Sequence, residues 1–317
     1  MKGMKASMAK KNLSIEDQLK KYKKRFVIVI SLLTVVTAIL GVLIYLNYDY
    51  LAFKYFISQH YIYTDALDEL YKQETKRDVN GKYFSYFDNV VISTFTKRIR
   101  EINNDKYTYL YTPESYKQYK QEEKEEALAS EVRVLDSETI YLRLTNFSKY
   151  TLEFVRDNAE QLKKYPYLVI DLRDNYGGDI DAMVKISGMF LPKNSIVAVD
   201  KMRLFDWTYK SKGKKTFDYK GIAILQNKNT ASSSENLIAA LHDNLDNVVL
   251  VGETTFGKGI GQFTLPLKRG FAVKATVLLW YTPAGTNIQG KGIEPDIPYS
   301  GNDIVELSVK TIKAQFK

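Results

Sequence analysis

No cysteine occurs among the 317 residues. Its absence excludes a disulfide framework, thiolate metal sites, a cysteine nucleophile and a lipid-modified cysteine anchor. Histidine is almost as scarce. With only His60 and His242, a histidine-built metal site is disfavoured and any general base has to be sought elsewhere. Acidic residues are lacking at one end: the first 25 residues carry nine Lys/Arg against Glu16 and Asp17. Residues 47–317 hold 37 basic and 35 acidic side chains, only +2, so +7 of the net +9 belongs to the tail. A nucleic-acid partner would need a basic face on the folded part, and that balance argues against one. What is present is a globular composition, 45% apolar and 26% charged, which excludes wholesale disorder.

Residues 26–46 contain no charge at all. As a helix they span about 31 Å, enough to cross about 30 Å of hydrocarbon. A cleaved signal peptide would have a shorter apolar core and a small-residue cleavage site. Here bulky NYDYLAFKYF follows, so an uncleaved single-pass anchor in the cell membrane is expected. The basic tail should stay cytoplasmic and the 271 residues after Leu46 lie outside, with Tyr45, Tyr48 and Tyr50 at the outer interface.

Residues 47–130 read as mainly helical. A capped start is expected at 64–70, helical spacing continues over 90–102, and Thr112-Pro113 opens a charged surface helix. From about residue 131 strands and helices alternate. Strands are expected at 139–144, 167–173, 222–225 and 248–251, helices at 149–164, 180–191 and 232–242, and a hairpin around 268–270. This alternation predicts an α/β core with function on loops after strands.

Three such loops hold the candidates. In the second, Ser232, Ser233 and Ser234 mark a strand-to-helix transition followed by Glu235. One serine could simply cap the helix; a serine there could equally be a nucleophile beside free backbone N–H groups. A serine needs a base. His242 lies about 15 Å along the same helix and His60 near the membrane, so a Ser-His-Asp triad is disfavoured. That leaves Lys258, set between glycines in the third loop. To serve as a base it must be neutral, and burial can supply the required drop of about 3 pKa units. Lys258 could also be an ordinary loop lysine. A phosphate loop fits poorly: Gly252-x-x-x-x-Gly257-Lys258 is followed by Gly259 rather than Ser or Thr. In the first loop, Gly177-Gly178 is either a tight turn or a place where backbone N–H groups approach an oxyanion.

Together the segments DLRDNYGG (171–178), NTASSSE (229–235), VGETTFGKGIGQ (251–262) and YTPAGTNIQGKGIEPDI (281–297) resemble the C-terminal processing (tail-specific) peptidase family of serine proteases. The resemblance spans about residues 131–300, with a weaker echo at 107–116. It implies an α/β, ClpP/crotonase-like protease core at 131–317. Before that core come a cytoplasmic tail (1–25), a transmembrane helix (26–46) and a helical N-terminal region (47–130). It also implies Ser232 as nucleophile, Lys258 as general base, Gln262 as the residue that positions the lysine, and oxyanion donors from Ser233 and the Gly177-Gly178 turn, Gly178 ahead of Gly177. No metal or cofactor is implied. Tyr176 stands where the family usually has proline, and Ser233 where it often has alanine. Many members insert a PDZ domain where this chain has only 23 residues between Tyr116 and Thr139; tail capture by such a domain is therefore not expected. The expected activity is hydrolysis of exported or membrane-proximal polypeptides. The alternatives are a membrane-tethered binding or scaffold module with dormant catalysis and, third, an NTPase. Oligomeric state is not legible.

Overall fold

The computed structural model describes residues 14–63, 88–213 and 215–317; the helix start expected at 64–70 lies outside them. Helix α1 (Ile15–Leu46) runs for 32 residues from a Ser14 cap and buries none of them. By length and composition it can cross a membrane, a test that a signal sequence also meets. Helix α2 (Tyr48–His60) follows directly. From α2, Phe53, Phe56 and Ile57 pack with Ile92, Phe95 and Ile99 of α3 (Asp88–Asn103). Both sets recur every three or four residues, one helical face each, and both close onto Val273, Ala275 and Val277.

The larger sheet has the order β11 (Ile297–Pro298), β8 (Val248–Gly252), β7 (Gly221–Gln226), β4 (Tyr167–Asp171), β3 (Thr139–Arg143), β2 (Glu131–Val134). All neighbours are parallel except β2, which is antiparallel to β3. β4, β7 and β8 are buried along their whole length, which is why they read as continuous apolar runs. Leu168, Ile170, Ile222 and Ile224 face a core shared with α7 (Ile180–Phe190) and α8 (Ser233–Asn244). The alternate residues Val169, Ala223 and Leu225 face Ile304 and Ile312 of α9 (Ile304–Gln315). On the α7 side, α5 (Lys149–Asp157) and α6 (Ala159–Leu162) replace the single helix expected at 149–164.

The second sheet is antiparallel and built on β10 (Ala272–Tyr281). β9 (Ile260–Pro266) pairs along one edge; β1 (Tyr109–Tyr111) and then β5 (Ile196–Met202) share the other, and β6 (Asp206–Lys210) pairs with β5. The β9–β10 hairpin turns at Lys268–Gly270, as expected. β1 departs from the helical reading of residues 47–130. Its three residues are too short to carry a period of two, and it is a strand only because β10 offers it an edge. After β1, α4 (Pro113–Ala127) starts with Thr112 accepting the Ser115 N–H and Pro113 in the first turn, as expected. The interval between Tyr116 and Thr139 is filled by the rest of α4 and by β2.

Candidate active site

The loops after β4, β7 and β8 leave the carboxyl ends of adjacent parallel strands, where open α/β sheets place their sites. They converge on a cavity of about 780 Å³ closed on its far side by β9 and β10. Ser232, Ser233, Lys258, Gln262, Gly177 and Gly178 all line it.

In the first loop, buried Asp171 accepts the Tyr141 hydroxyl at 2.7 Å and the Arg173 guanidinium at 2.6 Å. Asn175, fully buried, donates to the Leu144 carbonyl and accepts the Gly177 N–H, both at 2.9 Å. The glycines then pass hard against their neighbours. A Cβ on Gly177 would sit 2.8 Å from the Ser232 Cβ and 2.9 Å from the Ser233 nitrogen, and one on Gly178 would sit 2.2 Å from the Phe147 carbonyl oxygen. Only glycine fits such an approach at φ of +100° and +140°. Of the three expected oxyanion donors, Gly177 thus spends its N–H on Asn175. No partner within the described residues takes the N–H of Gly178 or of Ser233.

In the second loop the serines divide their work. Ser233 and Ser234 donate their hydroxyls to the carbonyls of Gly178 (2.9 Å) and Asn175 (3.0 Å), which fastens the serine loop to the glycine turn. Ser232, at the N-cap position of α8, has φ 59° and ψ −119°. A non-glycine residue in that region costs about 1–3 kcal/mol and is held only by its surroundings. The holder is Glu235, which sequence reasoning placed merely in the first turn. Its Oε2 accepts the N–H groups of Ser232 (2.7 Å) and Lys258 (2.9 Å); its Oε1 accepts the Gly257 N–H (2.7 Å) and the Thr255 hydroxyl (2.6 Å). One fully buried carboxylate therefore ties the serine loop to the lysine loop. Burial raises its pKa, and the four donors oppose that rise.

In the third loop the backbone of Lys258 is fixed from two sides. The Trp280 indole donates to the Lys258 carbonyl at 2.7 Å. Gln289 and Asn287, from the fourth resembling segment, bond to the N–H and carbonyl of Gly259. The Lys258 amine is pushed down to about 8, first by burial and then by the nearby Lys274, against the pull of Glu235 and Asp105. It rests 4.8 Å from the centre of the Tyr107 ring. Tyr107 is itself set by its N–H to Asp105, which also accepts the Tyr61 hydroxyl. Tyr107 was named in the sequence only as an edge of the weaker resemblance, and nothing local marks a tyrosine as a platform for an amine 151 residues on. Lys258 and Ser232 face one cavity, but no hydrogen bond joins their side chains, and Gln262 makes none to Lys258; its Nε2 is buried without a partner. His242 lies at the far end of α8 beside Asp296; His60 ends α2 and packs on Phe56 behind the cavity wall, and neither histidine lines the cavity.

Among the described residues no group of His, Cys, Asp and Glu could hold a metal ion. The arrangement offers a strained serine, a depressed amine and two unengaged N–H groups, a set suited to acyl transfer.

Comparison with known proteins agrees with this chemistry. The chain is 35% identical over 164 residues to a carboxy-terminal-processing protease of Bartonella bacilliformis, a stretch covering 50% of this chain and 38% of the relative. It is 34% identical over 169 residues to the carboxy-terminal processing protease CtpA of Bacillus subtilis, covering 52% and 36%. These matches thus span under two fifths of the relatives' own length. In fold it is similar to a lipoprotein from Streptococcus agalactiae, with a TM-score of 0.65 and 18% identity over 84% of this chain and 96% of that one. Residues 138–299, half of the chain and all three loops, match Peptidase family S41, and the chain belongs to that family of serine-type C-terminal processing proteases.

Proposed function

We propose that the protein is a membrane-anchored serine endopeptidase acting through Ser232 and Lys258. The observation that carries this reading is the depressed Lys258 amine lining one cavity with the strained Ser232. A substrate carbonyl enters between Ser232 and the N–H groups of Ser233 and Gly178. Neutral Lys258 takes the hydroxyl proton as Oγ adds to the carbonyl carbon, and the two N–H groups receive the oxyanion. The lysine ammonium then returns its proton to the leaving amine, the C–N bond breaks, and an acyl-serine remains. Water, deprotonated by the same amine, adds to the ester, and the acid and free serine depart. Lys258 has to leave the Tyr107 ring to reach Ser232, and Gln262, on the same cavity wall, is assigned the role of positioning it there.

Incubation of the full chain in detergent with casein or a peptide library tests the reading, beside Ser232→Ala. The parent should cleave and be labelled by a fluorophosphonate at Ser232. The alanine variant should lose both, with cleavage falling by about 10³-fold or more. The second reading, a binding module with dormant catalysis, is favoured by the missing contact between Ser232 and Lys258. An unlabelled, uncleaving parent would establish it.

The anchor is the other half of the proposal. Phe56 of α2 lines the cavity and lies ten residues past the end of α1, about 15 Å along a helix. This brings the catalytic cavity close to the membrane surface and suits membrane-proximal substrates. The full chain should stay with membranes through a carbonate wash, and a chain starting at residue 47 should be released. Release of the intact full chain by carbonate would refute the anchor.

A further inference from the structure

Three residues that line the cavity carry four buried polar atoms without a hydrogen-bond partner: both carboxyl oxygens of Asp200, Oδ1 of Asn236 and Nε2 of Gln262. Asp200 is 0% exposed and Asn236 3%. Sequence reading singled out neither Asp200 nor Asn236. An unsatisfied group of this kind costs about 1–3 kcal/mol, more if charged, so three such acceptors on one wall call for an explanation.

Their placement is defined. Asn236 follows Ser232 by four residues in sequence, so it lies one helical turn further along the same face, about 6 Å away. The far end of α8 is tied to β5, where Asn244 donates to the Ile196 carbonyl at 2.9 Å. Eight residues back along the helix is about 12 Å, and four residues forward along the strand is about 13 Å. Asn236 and Asp200 therefore reach the cavity at the same level. Asp200 also stands opposite Trp280 in register on β10, and Trp280 is the residue bonded to Lys258. The charges acting most on the Lys258 amine are those of Lys274, Glu235, Asp105 and Lys106, which puts Asp200 on a different part of the cavity wall. The Tyr209 hydroxyl is set against the Asp200 carboxyl and draws its pKa down in part, but it stays outside hydrogen-bond distance of both oxygens. Burial pushes the Asp200 carboxyl up to about 7, the condition of an acid with no cation beside it.

A carboxylate and an amide oxygen form a wall of acceptors, and its complement is a group that only donates: an ammonium or a guanidinium. Leu278 and Trp280 add apolar surface for the methylene stem of such a side chain. We propose that Asp200 and Asn236 form a subsite for the basic side chain, lysine or arginine, of the residue whose carbonyl is presented to Ser232. The proposal rests on the peptidase reading for that placement, and its test does not need turnover.

Full-length Ser232→Ala in detergent is titrated with three peptides differing only in their C-terminal residue, which is lysine, norleucine or glutamate. The lysine peptide should bind at least about tenfold tighter than the norleucine peptide, and the glutamate peptide most weakly. In Ser232→Ala/Asp200→Asn, which is isosteric, the lysine advantage should fall to near unity while norleucine binding holds. That unchanged binding, with an unchanged Tm, reports an intact fold. Asn236→Leu should reduce the advantage more mildly. Equal binding of lysine and norleucine, a lysine preference that survives Asp200→Asn, or no binding by any peptide would each overturn the subsite. Fluorophosphonate labelling of the unsubstituted chain is scored separately, so loss of the peptidase reading is distinguishable from loss of the subsite.

Discussion

Lys258→Met is expected to inactivate the protein and to stabilise it in the same step. On the proposed mechanism the Ser232 proton then loses its acceptor, and kcat/KM should fall by about 10³-fold or more. Stability should move the other way. Folding holds the ammonium down from 10.5 to about 8, which opposes the charged form by up to about 3 kcal/mol. The native state releases its proton near pH 8 and the unfolded chain only near 10.5. Between those values the unfolded chain holds the extra proton, so native stability rises with pH through that window. The penalty is complete below pH 8 and gone above about 10.5. Methionine removes it, so the gain in Tm should be largest at pH 7 and vanish by about pH 10.5. Contact with the Tyr107 ring returns part of the energy to the ammonium. The same proton shapes the parent's rate: log kcat/KM should fall with unit slope as pH drops below about 8. A variant no more stable than the parent at pH 7, with a rate flat down to pH 6, would remove Lys258 from the role of base.

Glu235→Gln carries the second large effect. Both carboxylate oxygens act only as acceptors, each from two donors. A glutamine amide must turn its NH2 toward two of those donors, leaving them unpaired and opposed. Each buried unsatisfied group costs about 1–3 kcal/mol, so a loss of about 2–5 kcal/mol is expected, with the tie between the Ser232 and Lys258 loops weakened. Circular dichroism melts measure the first effect. For the second, fluorophosphonate labelling of the still-folded protein at low temperature should slow by about tenfold or more. Labelling at the parent rate with an unchanged melt would show that the clamp is dispensable. Glu235→Asp, a carboxylate too short to reach all four donors, should fall between the two.

Much of the architecture was readable because it is local. The uncharged run within α1, Pro113 after Thr112, the buried runs of β4, β7 and β8 and the glycine signals of the three loops are patterns within a few residues. Each reflects a preference the chain carries before it folds. The hairpin β5–β6, the strand β1 and the short β11 escaped because a strand is defined by its partner. Helix α9 has an apolar face that makes sense only against the underside of the larger sheet.

The site divides along the same line. Ser232, Lys258, Gln262 and the glycine pair could be named from motifs. The resemblance pointed to Gly178 as the glycine donor, and only the fold shows the Gly177 N–H bonded to Asn175. Nor could the sequence show that Glu235 binds two loops, that Tyr107 carries the Lys258 amine, or that Asp200 and Asn236 share a wall. The sequence alone determined which groups the chain possesses and which loops carry them, because those are properties of short segments. Only the tertiary structure decided which of them meet, how deeply they are buried and so what their protons cost. Burial and proximity are set by residues up to 151 positions apart, between Tyr107 and Lys258, and no local pattern records them.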